Sequence, residues 1–320
     1  MCGRYATSRR PEDLVEDFEI EFLTGPGPGQ DPTATEPDFN VAPTKTAPVV
    51  LERRPYGGSS SSSSSESPAE AAGIEDPPSA QDADGEPTAD AALEAAEEVA
   101  DQVGGPVEPV RWLRLLTWGL VPSWAKDRSV GNRMINARSD TLLERTHRRA
   151  ALARRCLVPA DGWYEWQASP TERDARGKPR KQPFFLHPEH GGPIAFAGIY
   201  EFWRDPAVHA DDPNAWLTTF AIVTTDAEAP LRAIHDRMPL VLPPDRWRAW
   251  LDPQVQDADS VRALLAPPPA GRFAATAVTT RVNSVANNGP QLLEPAPAGS
   301  LHGVIDPATG ELIGGGDALF

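Results

Sequence analysis

The stretch Cys156-Leu-Val-Pro-Ala-Asp-Gly-Trp-Tyr-Glu-Trp166 sets an apolar run against an alternating one, with the turn dipeptide Asp161-Gly162 between them. Both halves read as strand, because apolar and aromatic residues dominate and Asp-Gly punctuates. Working outward, similar runs recur at 112–121, 183–187, 193–203, 217–225, 238–242 and 273–282. Helical patterns separate only some of them, over Ser139–Arg154, 244–251 and 259–266. Strands that follow strands, with occasional helices, predict an α+β fold with a largely antiparallel, barrel-like sheet and flanking helices. A doubly wound parallel sheet would need a helix after nearly every strand.

Towards the N-terminus, Ser8 and Pro11 introduce a helix with Leu14, Val15, Phe18 and Phe22 on one face. A Pro/Gly-rich loop covers 24–38, and Phe39–Leu51 is extended. Order is then expected to fail. Residues 52–110 include the serine run Ser59–Ser65 and a Pro/Ala/Asp/Glu stretch that has too little apolar surface to offset its ordering entropy, with at most a marginal acidic helix at 89–100. The predicted organisation is one discontinuous domain, 1–51 and 111–298, interrupted by the acidic insertion 52–110 and followed by a tail, 299–320.

Charge is unevenly placed. Residues 55–110 carry thirteen Asp or Glu and no Lys or Arg, so without them the net charge of −16 falls to −3. From Arg111 to Lys181, sixteen basic residues against seven acidic ones leave +9, enough to face an anion. The overall acidity therefore does not exclude nucleic acid. Two cysteines, Cys2 and Cys156, make no disulfide framework, and the six histidines have no metal-ligand spacing. No Gly-rich phosphate loop appears, and no cofactor or metal is expected. No apolar run reaches the ~20 residues of a membrane span, and Met-Cys-Gly-Arg-Tyr is no signal peptide, so a cytoplasmic protein with reduced thiols, and no membrane partner, is expected.

Cys2 has the most distinctive chemistry. The small side chain after Met1 favours its removal, leaving a cysteine whose α-amine (~7.7–8.0) and thiol (~8.5) both keep a nucleophilic fraction near neutral pH. An aldehyde condenses with the amine to an imine, and the thiol closes it to a thiazolidine. The alternative is a small residue near an untidy terminus. Strand alternation puts Glu165 on the face of Trp163, where an apolar neighbour would raise its pKa and suit it to general acid work; the alternative is a solvated carboxylate. His235, between Ile234 and Asp236-Arg237, is a candidate acid–base group or a surface histidine. Asn136 precedes the helix expected from Ser139 and reads as a turn or cap residue; Arg138 is a surface charge or a phosphate ligand at that helix start. Trp118 and Trp124 are core residues or base-stacking platforms.

Taken together, Met-Cys-Gly-Arg-Tyr5, Asn40-Val-Ala-Pro43, Trp118-Gly-Leu-Val-Pro-Ser-Trp124, Ile135-Asn-Ala-Arg138, the 156–166 stretch, Ile234-His-Asp-Arg-Met-Pro239 and Val285-Ala-Asn-Asn-Gly289 resemble the SOS response associated peptidase (SRAP) family. The resemblance implies a single barrel-like domain, monomeric and nucleoid-associated when bound to DNA, that senses abasic sites in single-stranded DNA and traps them as a thiazolidine crosslink. It implies Cys2 as nucleophile, Asn136 holding its amine, and Glu165 and His235 as acid–base groups. Arg4, Arg138 and Arg237 would grip phosphates, with Asn40, Pro43, Trp118 and Trp124 also on the DNA-binding surface. The family name carries a peptidase activity as well, for which self-removal of Met1 is a candidate reaction. The rival class is an N-terminal-nucleophile amidohydrolase of the glutamine amidotransferase type, which also begins Met-Cys-Gly and uses the thiol on an amide.

Overall fold

The structure is a computed structural model that describes residues 2–24, 36–53, 109–144, 146–209, 212 and 215–314. The expected disorder of the acidic insertion and its marginal helix lie outside the described residues, as does most of the 24–38 loop. In chain order the strands are β1 (Tyr5–Thr7), β2 (Phe22–Thr24), β3 (Asp38–Val41), β4 (Thr46–Arg53), β5 (Val110–Trp118), β6 (Asn136–Arg138), β7 (Arg155–Ala160) and β8 (Gly162–Arg173). They continue with β9 (Pro179–Pro188), β10 (Ile194–Arg204), β11 (Trp216–Asp226), β12 (Arg237–Pro239), β13 (Val241–Leu242) and β14 (Phe273–Ala277). The helices are α1 (Pro11–Phe18), α2 (Arg148–Ala153), α3 (Pro244–Leu251) and α4 (Ala258–Leu264).

Two sheets form. One has the order β14-β9-β8-β1-β3; the other runs β12-β11-β10-β7-β4-β5-β2 and closes on itself where β11 also pairs β5 in parallel, Thr219 with Thr117 and Phe220 with Trp118. The closed ring is thus β4, β5, β11, β10 and β7. Five strands cannot close with every neighbour antiparallel, so one parallel junction is required, and β5–β11 supplies it. The small mixed barrel agrees with the α+β expectation. Asp161-Gly162 proves to be a corner: β7 belongs to the barrel and β8 to the second sheet. A side chain at Gly162 would place its Cβ 2.3 Å from the Leu186 carbonyl, so the corner accepts no larger residue.

Barrel strands are buried on both faces, which explains their near-continuous apolar runs. On β7, Cys156, Val158 and Ala160 enter one core cluster and Leu157 the other. The first cluster gathers Tyr5, Trp118, Trp163, Phe196 and Phe220, with Tyr5 edge-on to Trp118 at 5.2 Å between ring centroids. The second seats α1 through Leu14 and Phe18, α3 through Trp247 and Trp250, and α4 through Val261.

Three expectations are corrected. Helix α1 stops at Phe18, where Glu19 adopts φ 52° as a left-handed cap, so Phe22 leaves the helical face and stacks on Trp112 from β2. The helix expected over Ser139–Arg154 is reduced to α2: residues 139–144 form turns, and Ser139 donates its N–H to the Thr224 carbonyl where β6 ends against β11. Tertiary pairing outweighs local helix propensity there. The tail from 299 does not stand apart: Val304 is fully buried in the first cluster. No helix among the described residues is long and apolar enough to cross a membrane.

Candidate active site

Strand β1 lies between β3 and β8, and this brings the first residues into the core. Cys2 is fully buried, and its thiol lies 4.0 Å from the Arg4 carbonyl oxygen. Burial, followed by the Glu165 charge, pushes the thiol well above its usual range. Asn136, on β6 opposite Ile222, donates from Nδ2 to the Cys2 carbonyl oxygen at 2.7 Å. Its Oδ1 is buried and has no hydrogen-bond partner among the described residues.

Glu165 faces the same way along β8 as Trp163, as alternation predicts; Tyr164 and Trp166 pack on the opposite side in a separate cluster. Only 3% of Glu165 is exposed, and burial raises its carboxyl to about 7. His235 is partly exposed. Its Nδ1 lies 3.0 Å from both the Arg237 amide nitrogen and Asp236 Oδ1. Burial lowers the imidazole pKa, with Asp236 opposing. Asp236 and Lys181 act electrostatically on both Glu165 and His235, and Glu165 acts on Cys2, so these groups share one environment. Lys181 escaped the sequence reading except as the last member of the basic run. Only the β8–β9 register, which sets it against Ala168, brings it to the site.

The expected DNA-contact residues divide. Trp124 is 69% exposed in a turn, Pro43 is half-buried in the turn that holds Thr44 at φ 74°, and Arg138 is exposed. Arg138 makes a two-pronged pair with Asp140 at 3.0 and 2.6 Å, at a strand end rather than a helix start. Arg4 is half-buried, its guanidinium bonded to Asn40 Oδ1 at 2.6 Å and to the Val282 carbonyl at 2.9 Å. Three of them are buried. Trp118 is fully buried, its indole N–H donating to the Ile135 carbonyl, so no ring face remains for a base. Asn40 is fully buried and ties the Val282, Ser284 and Asn287 carbonyls to β3. Arg237 is buried, its guanidinium committed to Asp226 and the Thr224 carbonyl. Among the described residues no group of three or more His, Cys, Asp or Glu is placed to hold a metal ion.

The chain is 39% identical over 296 residues to the abasic site processing protein YoqW of Bacillus subtilis, covering 92% of this chain and 99% of that protein. It is 34% identical to the abasic site processing protein HMCES of Gallus gallus over 59% of each chain. A crystal structure of a protein from Bordetella bronchiseptica shares the fold at TM-score 0.53 and 20% identity, covering 87% of this chain and all of that one. Residues 1–285 match the family described as SOS response associated peptidase. With that match over most of its length and the buried Cys2 at its site, the chain belongs to the SRAP family.

Proposed function

We propose that the protein captures abasic sites in single-stranded DNA as a covalent thiazolidine on Cys2, after loss of Met1. The observation that carries this reading is the pairing of a buried N-terminal thiol with a buried carboxyl poised near neutrality. A charged Glu165 adds to burial in keeping the thiol protonated. An abasic deoxyribose is mostly a closed hemiacetal. Glu165 in its acid form protonates the ring oxygen as the C1′–O4′ bond breaks, while His235 assists by taking the C1′ hydroxyl proton. The Cys2 amine then adds to the C1′ aldehyde, water leaves, and an imine forms. Sulfur attacks C1′ as its proton passes to the Glu165 carboxylate, and the imine nitrogen takes the proton that His235 gained in ring opening. Amine, aldehyde and thiol have become a thiazolidine and one water. Asn136 fixes the Cys2 backbone throughout, and its spare Oδ1 suits an amine proton.

An amidohydrolase would need its thiol easily ionised, and burial does the opposite here. The family match also weighs against it. A denaturing gel of purified protein with single-stranded DNA containing one abasic site tests the proposal. We expect a stable adduct that disappears in Cys2→Ala and in protein retaining Met1. An adduct from the Met1-retained form, or glutaminase activity without any adduct, refutes it.

A further inference from the structure

We propose that Gln167 and the segment Ser300–Ile305 form a brace that positions His235, an inference that rests on the abasic-site reading above. Gln167 lies two residues beyond Glu165 on β8 and is 2% exposed. Its Nε2 donates to the Ala233 carbonyl at 3.0 Å and the Ile305 carbonyl at 2.9 Å, and its Oε1 accepts from the Ile305 N–H at 2.7 Å. Ala233 ends the short 3-10 turn Leu231–Ala233, and His235 follows after one residue, its own N–H bonded to the Leu231 carbonyl at 3.1 Å. One buried amide therefore joins the strand of the proposed acid to the loop of the proposed base.

The segment beyond is built in, not draped. Ser169 Oγ donates to the Gly303 carbonyl at 2.5 Å, and the Arg180 guanidinium donates to the Ser300 and His302 carbonyls. Val304 packs in the same cluster as Leu231 and Ile234. The family match ends at residue 285, so Ser300–Ile305 lies outside the matched region. A glutamine with both donors and its acceptor committed in the interior has one amide orientation, and its loss would leave the Ala233 carbonyl without this donor. Small displacements of a proton-transfer group are costly in rate. Gln167 touches no reacting atom and is a positioning residue.

The test compares crosslinking rates of full-length wild type, Gln167→Met, His235→Ala and the double variant. The substrates are single-stranded DNA with an abasic site and an oligonucleotide with an acyclic aldehyde that cannot close into a ring. We expect Gln167→Met to slow the abasic substrate about tenfold and the acyclic aldehyde less than about twofold, since only the first needs His235 for ring opening. The double variant should be no slower than His235→Ala. Equal slowing on both substrates, or effects that multiply in the double variant, would mean a merely structural role and overturn the brace. Should Gln167→Met not fold, Gln167→Asn replaces it, polar but one methylene short of both carbonyls, with the same selective slowing expected. A wild type that forms no adduct sinks the abasic-site reading itself; a wild type that reacts alongside unimpaired Gln167 variants sinks the brace alone.

Discussion

The Asn136 side chain reaches the Cys2 carbonyl across 134 residues of sequence, at 2.7 Å, and so ties the start of the chain to a three-residue strand that runs parallel to β11. A terminus is ordinarily the least ordered part of a domain. Here Cys2 is held on its main chain and buried at its side chain.

Asn136→Ala removes that tie. A neutral hydrogen bond contributes ~0.5–1.5 kcal/mol, so crosslinking should slow by roughly two- to thirteenfold with single-strand affinity unchanged. Rates from quenched time points, beside affinities for undamaged DNA, check this. Equal loss of both would assign Asn136 to general folding.

Glu165→Gln should cut the crosslinking rate on the order of 10²-fold. In the wild type the amine must be neutral, which raises the rate with pH, and the carboxyl must be protonated, which lowers it above about 7. The profile should be bell-shaped, and its falling limb should vanish in Glu165→Gln.

The same carboxyl makes stability depend on pH. Its folded pKa lies above the unfolded ~4.3, so the native state keeps a proton that the unfolded state releases. Stability then falls as pH rises from there to about 7. Glu165→Gln should be the more stable protein at pH 8, by on the order of 3–4 kcal/mol, and nearly equal at pH 4. Denaturant melts at the two pH values decide it.

Asp140 occupies the fork of Arg138 that a phosphate would use. Both side chains are about half exposed, so the pair adds little stability. Asp140→Asn should tighten single-strand binding and steepen its salt dependence, whereas Arg138→Ala should flatten the log–log slope by ~0.7 for each phosphate left without its cation. Slopes that do not move would take Arg138 off the DNA path.

Gly198 on β10 sits over Cys156, and a Cβ there would lie 2.8 Å from the sulfur and 3.1 Å from Val158 Cγ2. Gly198→Ala should cost ~1–3 kcal/mol. Adding Cys156→Ala should recover part of that loss, and strictly additive losses would show that the sulfur is not what excludes the methyl.

Local patterning in the chain reveals the strand-rich architecture, helix α3 at Pro244–Leu251, the shared face of Trp163 and Glu165, and the chemistry available at Cys2. These are legible because strand and helix periods, turn dipeptides and functional groups are local properties. The tertiary structure settles instead that Asp161-Gly162 sends the chain from one sheet to another, that residues 139–144 form turns where a helix was expected, and that β5 closes the barrel on β11. It also decided that Trp118, Asn40 and Arg237 are interior residues, and that Lys181 and Gln167 join the site. Whether a polar or aromatic side chain is buried depends on partners such as Val282 for Asn40 or Ile305 for Gln167, which stand more than a hundred residues away and leave no periodic trace around it.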